Sequence, residues 1–156
     1  MTAVATDVAF HTQVPDKLGY TCRLLRKISR QGLRVAVVGD ASLLGRLDQA
    51  LWVFEHEDFV PHLRLRPGEQ PSLRTQRTPI WLLDDDQVAV DASVLVNLGP
   101  EFPSQPERFA RVVEIVSTDP NDAQAGRGRW RQYAAQALVP VNHPYRSGTE
   151  SPAQPN

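Results

Sequence analysis

The sequence contains little cysteine and no long apolar run. Its single cysteine, Cys22, cannot form a disulfide within the chain, and without a CxxC pair there is no zinc-ribbon motif. No stretch of about 18 apolar residues occurs, so the sequence lacks the pattern of a transmembrane helix. The first residues, MTAVATDVAF, have neither the basic start nor the apolar core of a signal peptide. We therefore expect a soluble, cytoplasmic protein.

An excess of charge of either sign is also lacking. The 156 residues include 17 basic and 18 acidic ones, which gives a net charge of −1. Attraction to a nucleic acid or a membrane would therefore need a local patch of charge. Lysine is scarce, since only Lys17 and Lys27 occur and the other basic residues are arginines. The length is that of one domain with a core large enough to fold without a metal or a disulfide.

Apolar runs along the chain predict an α/β fold. The run LRVAVV at 33–38 is typical of a strand buried on both faces of a sheet, and Leu18, Cys22, Leu25 and Ile28 before it have helical spacing. A strand, a helix and a second strand within about 30 residues form a βαβ unit with parallel pairing. In full, the pattern predicts strands at 7–14, 33–38, 80–83, 92–98 and 111–116, and helices at 16–30, from Asp40 onward and at 119–137.

These elements predict a three-layer fold, with a mostly parallel sheet and helices on both of its faces. We expect residues 1–141 to form this single domain. Residues 142–156 lose all periodicity and are expected to be a disordered tail. The stretch 64–77 is rich in proline, glycine and arginine, which predicts a long exposed loop.

The residues predict no catalytic, cofactor or metal site. The sequence GDASLLG, with Gly39 and Gly45, lacks the GxGxxG spacing of a dinucleotide-binding turn. Asp84, Asp85 and Asp86 could hold Mg²⁺ at a strand end, but no phosphate-binding loop accompanies them. The four histidines are scattered, and no serine lies in a GxSxG motif.

Two segments combine large aromatic residues with charge. One runs from Leu47 to His62, and the other is GRGRWRQY at 126–133, where two glycines each cost a helix roughly 1 kcal/mol relative to alanine. On that helix Ala123, Arg127 and Trp130 share one stripe. Arginine beside an aromatic ring suits an acidic peptide ending in an apolar anchor, or stacked single-stranded bases. A simple solvated basic face is the third interpretation.

The run LDQALWVFEHEDFVPH resembles the signature of the chi subunit family of bacterial DNA polymerase III, which is approximately LDxxLW followed by FxPH. The order of the surrounding elements agrees over residues 7–137. The resemblance implies a fold like a nucleotide-binding domain without its phosphate loop. It also implies a replisome-associated adaptor without catalytic activity or a cofactor, which joins single-stranded-DNA-binding protein (SSB) to the clamp loader through the psi subunit. Contact with DNA would be indirect, and no membrane is involved.

In this family the acidic tail of SSB, which ends in a phenylalanine carboxylate, docks in one pocket. By position the resemblance implies that the pocket uses Trp52, Phe59, Val116, Arg127, Trp130 and Tyr133. The aspartates upstream in the tail need only a diffuse basic rim, for which Arg129 and Arg131 are candidates. The chain departs from the family pattern at Ala123, where a lysine is common, and at Trp130, where a tyrosine is usual.

Two other functions remain open. One is direct binding of single-stranded nucleic acid by GRGRWRQY and the 64–77 loop, which predicts a steep dependence on salt. The other is a degenerate nucleotide-binding enzyme built on Gly39, Asp40 and the three aspartates at 84–86, which predicts stabilisation by nucleotides.

Overall fold

The computed structural model describes residues 5–53 and 60–146. These residues form a seven-stranded sheet of order β3-β4-β2-β5-β6-β1-β7, and every neighbouring pair of strands is parallel. The strands are β1 (Asp7–Val14), β2 (Val35–Val38), β3 (His62–Leu65), β4 (Ile80–Leu83), β5 (Val94–Asn97), β6 (Arg111–Ser117) and β7 (Val141–Pro144). The helices are α1 (Lys17–Arg30), α2 (Ala41–Val53) and α3 (Pro120–Ala135).

The central strands are buried along their whole length. Every residue of β2 (VAVV), β4 (IWLL) and β5 (VLVN) is buried. Such continuous apolar runs are typical of parallel strands that are covered on both faces of the sheet. The predicted α/β class and the parallel pairing are thus confirmed.

Aspartates fix where the helices begin. Asp16, Asp40 and Asp119 each accept a hydrogen bond from a backbone N–H in the first turn of the helix that follows. Pro120 takes the first position of α3, where its missing N–H costs nothing. The helices therefore begin within one residue of their predicted positions.

Two helices lie on one face of the sheet and one on the other. The apolar residues of α1 and α2 pack on alternate residues of the strands, such as Val35 and Val37 of β2. The intervening residues, such as Ala36 and Val38, face the opposite side together with Tyr133 of α3. We call these the α1/α2 face and the α3 face. The predicted three-layer arrangement is confirmed.

Two edge strands were not predicted. β3 takes up Arg64 and Leu65, which were assigned to the exposed loop, and its four residues pair with β4. β7 forms where the disordered tail was expected to begin, and it pairs with β1 from Val141 to Pro144. The sequence VNHP has a low strand propensity, so its conformation depends on hydrogen bonds to β1 that no local pattern reveals. The last ten residues of the predicted tail lie outside the described residues.

Helix α3 covers only part of the α3 face of the sheet. It packs against β6 and β1, where Tyr133 reaches Glu114 and meets the Phe10 ring, and Arg129 reaches the carbonyl oxygen of Pro100 in the loop after β5. Beside α3, toward the β7 edge, the α3 faces of β1 and β7 form the floor of an open groove.

Candidate functional site

A surface cavity with a volume of about 1010 Å³ lies between α3 and strands β1, β6 and β7. We call it the α3 groove. Its lining comprises Phe10, Thr12 and Gln13 of β1, Val116 and Ser117 of β6, Thr118, Asn142 of β7, and Ala123, Gly126, Arg127, Trp130 and Arg131 of α3.

An apolar section of the groove is built around Trp130. The Trp130 ring meets Phe10 edge to face, with the ring centroids 5.1 Å apart. Val116 lies beside them and contacts Gly126, where an added Cβ would stand 2.9 Å from a Val116 methyl group. Gly126 therefore lets α3 approach β6 closely, which accounts for one of the two helix glycines.

The charged section of the groove is positive. Arg127 and Arg131 are exposed on the groove side of α3. Among the described residues that line the groove there is no carboxylate. The nearby Asp122 is already engaged, since it accepts hydrogen bonds from Lys17 and the Ser117 backbone N–H. Burial acts to raise the pKa of Asp122, but these bonds outweigh it and lower that pKa.

A buried polar network holds α3 on the sheet behind the groove. Arg129 Nε donates to Glu114 Oε1 at 2.8 Å, and the Tyr133 hydroxyl donates to Oε2 at 2.7 Å. Asn97 Nδ2 donates to both Glu114 oxygens at 3.1 Å. Burial raises the pKa of Glu114, while Arg129, Tyr133 and Asn97 act to lower it. Burial also raises the pKa of Tyr133.

Two residues predicted for the binding site belong to this network instead. Arg129 is 1% exposed and Tyr133 is 0% exposed, so neither can touch a ligand in the groove. The prediction of Arg129 on a basic rim and of Tyr133 in the pocket is therefore wrong. A signal for this was present in the sequence: Glu114 stands inside the apolar run RVVEIV, and a carboxylate in a buried strand needs a cationic partner.

Trp52 lies far from the groove. It is on α2, which packs on the α1/α2 face, and its ring contacts His62 at the start of the edge strand β3. Five strand spacings separate β3 from β1, or roughly 24 Å at about 4.8 Å each. The predicted single pocket that joins Trp52 to Arg127 and Trp130 is therefore wrong. Phe59, which was predicted to line the same pocket as Trp52, lies outside the described residues.

The signature residues instead form a cluster of their own. The Trp52 and His62 ring centroids are 5.3 Å apart, and His62 Nε2 lies 3.0 Å from Asp48 Oδ1. The aspartate of LDxxLW, its tryptophan and the histidine of FxPH thus meet at one edge of the sheet. We call Asp48, Trp52 and His62 the signature cluster. The Trp52 side chain within it is 57% exposed.

The glycines of GDASLLG are engaged in packing. An added Cβ on Gly39 would stand 3.3 Å from Leu98 Cβ, and one on Gly99 would stand 3.4 Å from Gly39 Cα. The ends of β2 and β5 therefore approach each other at two glycines. An added Cβ on Gly45 would meet Arg64.

The three aspartates after β4 hold neighbouring groups. Asp84 pairs with Arg64, whose Nε and Nη2 both donate to it at 3.1 Å. Asp85 and Asp86 accept backbone N–H bonds, from Gln87 and Ser104 respectively. Within residues 5–53 and 60–146, no three histidine, cysteine or acidic residues gather as metal ligands could. In the same ranges no helix has both the length and the apolar character that crossing a membrane requires.

Comparison with known protein families shows the family to which this fold and signature belong. Residues 5–140 match the family model described as DNA polymerase III chi subunit, HolC. The chain belongs to the DNA polymerase III chi subunit family. The resemblance inferred from LDQALW and FVPH is thereby confirmed. Membership of this family gives the chain an accessory role in DNA replication.

Two curated relatives agree with this assignment. The DNA polymerase III subunit chi of Pseudomonas aeruginosa is 30% identical over 128 residues, which cover 81% of this chain and 85% of the relative. The DNA polymerase III subunit chi of Escherichia coli K12 is 28% identical over 113 residues, or 72% of this chain and 74% of the relative.

Solved structures resemble the chain in fold alone. The C-terminal domain of the DEAD-box protein Dbp5 has a TM-score of 0.57 and 12% identity, with 91% of each chain covered. Domain 2 of the DEAD-box helicase Mss116p has a TM-score of 0.60 and 10% identity, with 91% of this chain and 65% of that chain covered. These neighbours are Rossmann-like α/β domains of the RecA fold, which agrees with the predicted fold class.

Proposed function

We propose that this chi-family chain is a non-catalytic adaptor in the bacterial cytoplasm. Its α3 groove binds the acidic C-terminal tail of single-stranded-DNA-binding protein. A separate surface binds the psi subunit and, through it, the clamp loader. The single observation that carries the proposal is the composition of the groove, where two exposed arginines flank an aromatic, apolar section and no carboxylate is found among the described lining residues.

The groove complements the chemistry of such a tail. A terminal phenylalanine can enter beside Trp130 and Val116, and burying it is worth roughly 1.5–3 kcal/mol. Its carboxylate can accept two parallel bonds from the Arg127 guanidinium. Arg131 is placed to attract the aspartates upstream. We expect micromolar affinity that weakens as salt is added, because the ion pairs are exposed.

Ala123 removes a cation that the family commonly has here. It lines the groove one turn before Arg127, so among the described lining residues the cations available to the tail carboxylate are Arg127 and Arg131. This favours the weaker end of the micromolar range.

An adaptor also needs a second surface that the first partner leaves accessible. The signature cluster meets this need, because it lies at the opposite edge of the sheet from the groove and carries an exposed tryptophan. Exposed tryptophans are frequent anchors at protein interfaces. We therefore propose the surface around Trp52 for the psi subunit.

Direct binding of single-stranded nucleic acid is the second candidate. The observation that favours it is the same pair of arginines beside Trp130, because guanidinium groups bind phosphates and indole rings stack on bases. The nucleotide-binding enzyme has less support, since its candidate glycines are used in packing and its aspartates hold neighbouring groups.

Calorimetric titration distinguishes these functions. The chain is titrated with an acidic peptide ending in Ile-Pro-Phe, with the same peptide lacking the phenylalanine, and with single-stranded DNA. We expect saturable binding of the first peptide only, and a loss of at least about tenfold in Arg127→Ala, since a charge-assisted bidentate bond is removed. Arg23→Ala, on α1, is the matched control. Tight DNA binding without peptide binding would replace the adaptor by the nucleic-acid module.

A further inference from the structure

Strand β1 is irregular where it reaches the α3 groove. His11 is paired with Ile115 of β6, and Val14 is paired with Ser117. Two residues of β1, Thr12 and Gln13, therefore stand opposite one residue of β6. This is a β-bulge, which is uncommon between parallel strands and often redirects a side chain next to a functional site.

The bulge changes the direction in which Gln13 points. His11 lies on the α1/α2 face, where it meets Tyr20, and Thr12 lines the groove on the other face. Strict alternation would turn Gln13 back to the α1/α2 face. Because of the extra residue, Gln13 also lines the groove, and Val14 is the residue buried against the α1/α2 core.

This arrangement places Gln13 in an unfavourable backbone conformation. Its φ is +57°, in the left-handed region that residues with a Cβ rarely adopt. Such strain persists where surrounding structure enforces it, and it is concentrated at functional sites. A glycine would remove the strain, yet the chain has a long polar side chain there.

The Gln13 side chain is available to a ligand. It is exposed, and it makes no hydrogen bond to the other residues that the structure describes. Its neighbour Thr12, in contrast, donates its hydroxyl hydrogen to Asn142 Oδ1 at 2.7 Å. Gln13 is therefore the polar group of β1 in the groove whose hydrogen bonds are not yet used within the described chain.

The chemistry of a carboxamide indicates what it would recognise. It carries one acceptor and two donors and matches the N–H and C=O of a peptide bond. A carboxylate is better served by the guanidinium of Arg127, which lines the same groove. We infer that Gln13 is a specificity-determining residue, which hydrogen-bonds the last peptide bond of the bound tail while Arg127 holds the terminal carboxylate. This inference rests on the proposed function and adds the recognition of a peptide main chain.

The experiment pairs a change in the protein with a change in the peptide. Wild type and Gln13→Gly are titrated with the acidic Ile-Pro-Phe peptide and with its analogue carrying an N-methyl group on the terminal phenylalanine, which removes one N–H. We expect either change alone to weaken binding about three- to tenfold, the effect of one hydrogen bond. The two changes together should weaken binding no more than one change alone, because both remove the same hydrogen bond. Gln13→Gly should at the same time raise Tm, because the backbone strain is relieved.

Two further variants separate recognition from folding. Gln13→Asn keeps the carboxamide on a residue type that tolerates the left-handed backbone conformation, but its side chain is one methylene shorter. This variant should therefore fold normally and bind the peptide weakly. Gln31→Asn, at the end of α1 and away from the groove, should bind like wild type. Equal affinity of wild type and Gln13→Gly, or an equal loss on methylation in both, would overturn the inference while leaving the proposed function in place. If the wild type does not bind the unmodified peptide, the proposed function fails and the inference fails with it.

Discussion

At the scale of single residues, the site depends on groups that never contact a ligand. Glu114 is buried in β6 and draws Arg129 and Tyr133 of α3 into the core. Those two contacts leave Arg127 and Arg131 on the groove side of the same helix. A buried charged group without its partner is costly, so this network fixes which arginines of GRGRWRQY are structural and which are available for binding.

His11 gives the fold a dependence on pH. The ring is buried, its Nδ1 lies 2.6 Å from the Tyr20 hydroxyl, and His143 and Lys27 are nearby. Burial, and then those two neighbours, lower the pKa of His11 to about 4, from 6.5. Between these values the unfolded chain binds the proton more readily than the folded chain does. The contribution of His11 to the free energy of unfolding is therefore fully present above pH 6.5 and is lost as the pH drops toward about 4. The loss is about 1.4 kcal/mol per unit of pKa shift.

Urea unfolding at several pH values checks this expectation. Wild type should lose more stability between pH 6.5 and pH 4 than His11→Gln, which has no titrating ring at this position. Carboxylates elsewhere contribute equally to both proteins, so the comparison isolates His11. The same slope in both proteins would contradict the account.

At the scale of elements, helix α3 combines two glycines with different roles. Gly126 lies on β6, where a Cβ would meet Val116 at 2.9 Å, whereas a Cβ on Gly128 would have nothing within 4 Å. The first glycine is needed for close packing of the helix on the sheet. Nothing in the structure explains the second.

Alanine substitutions at these two positions should have opposite effects. Gly128→Ala should gain about 1 kcal/mol from helix propensity. Gly126→Ala has the same propensity gain but pushes α3 away from β6, so we expect a net loss of about 1–3 kcal/mol and weaker peptide binding. Thermal unfolding of the two variants measures this directly. A similar stabilisation in both would mean that the helix does not depend on close contact at Gly126.

The predictions from sequence succeeded where the signal was local. The run LRVAVV and the helical spacing of Leu18 to Ile28 specified a βαβ unit, and aspartates marked the helix starts. Residues 141–144 gave no such signal, since VNHP becomes a strand only because β1 offers its edge. Likewise, the alternation of β1 could not reveal the bulge that turns Gln13 into the groove.

At the scale of the whole molecule, the strand order separates two tryptophans that the resemblance had assigned to one pocket. Trp52 and Trp130 both stand in aromatic, charged segments, and the resemblance implied one pocket for them. The sheet order β3-β4-β2-β5-β6-β1-β7 puts their neighbours β3 and β1 five spacings apart, with α2 and α3 on opposite faces. Such order results from contacts distant in sequence, and no local pattern carries it. The outcome is two surfaces, which is the arrangement that an adaptor with two partners requires.

The three tryptophans offer the most direct test of this account, because each reports on a different place. Trp130 lies in the groove, Trp52 in the signature cluster, and Trp81 is wholly buried in β4. A ¹H–¹⁵N spectrum resolves their indole N–H signals, which single Trp→Phe variants assign, while the acidic Ile-Pro-Phe peptide is added. The account predicts that the Trp130 signal moves in proportion to occupancy and that the Trp52 signal stays in place. A shift of Trp52 with Trp130 unchanged would contradict it.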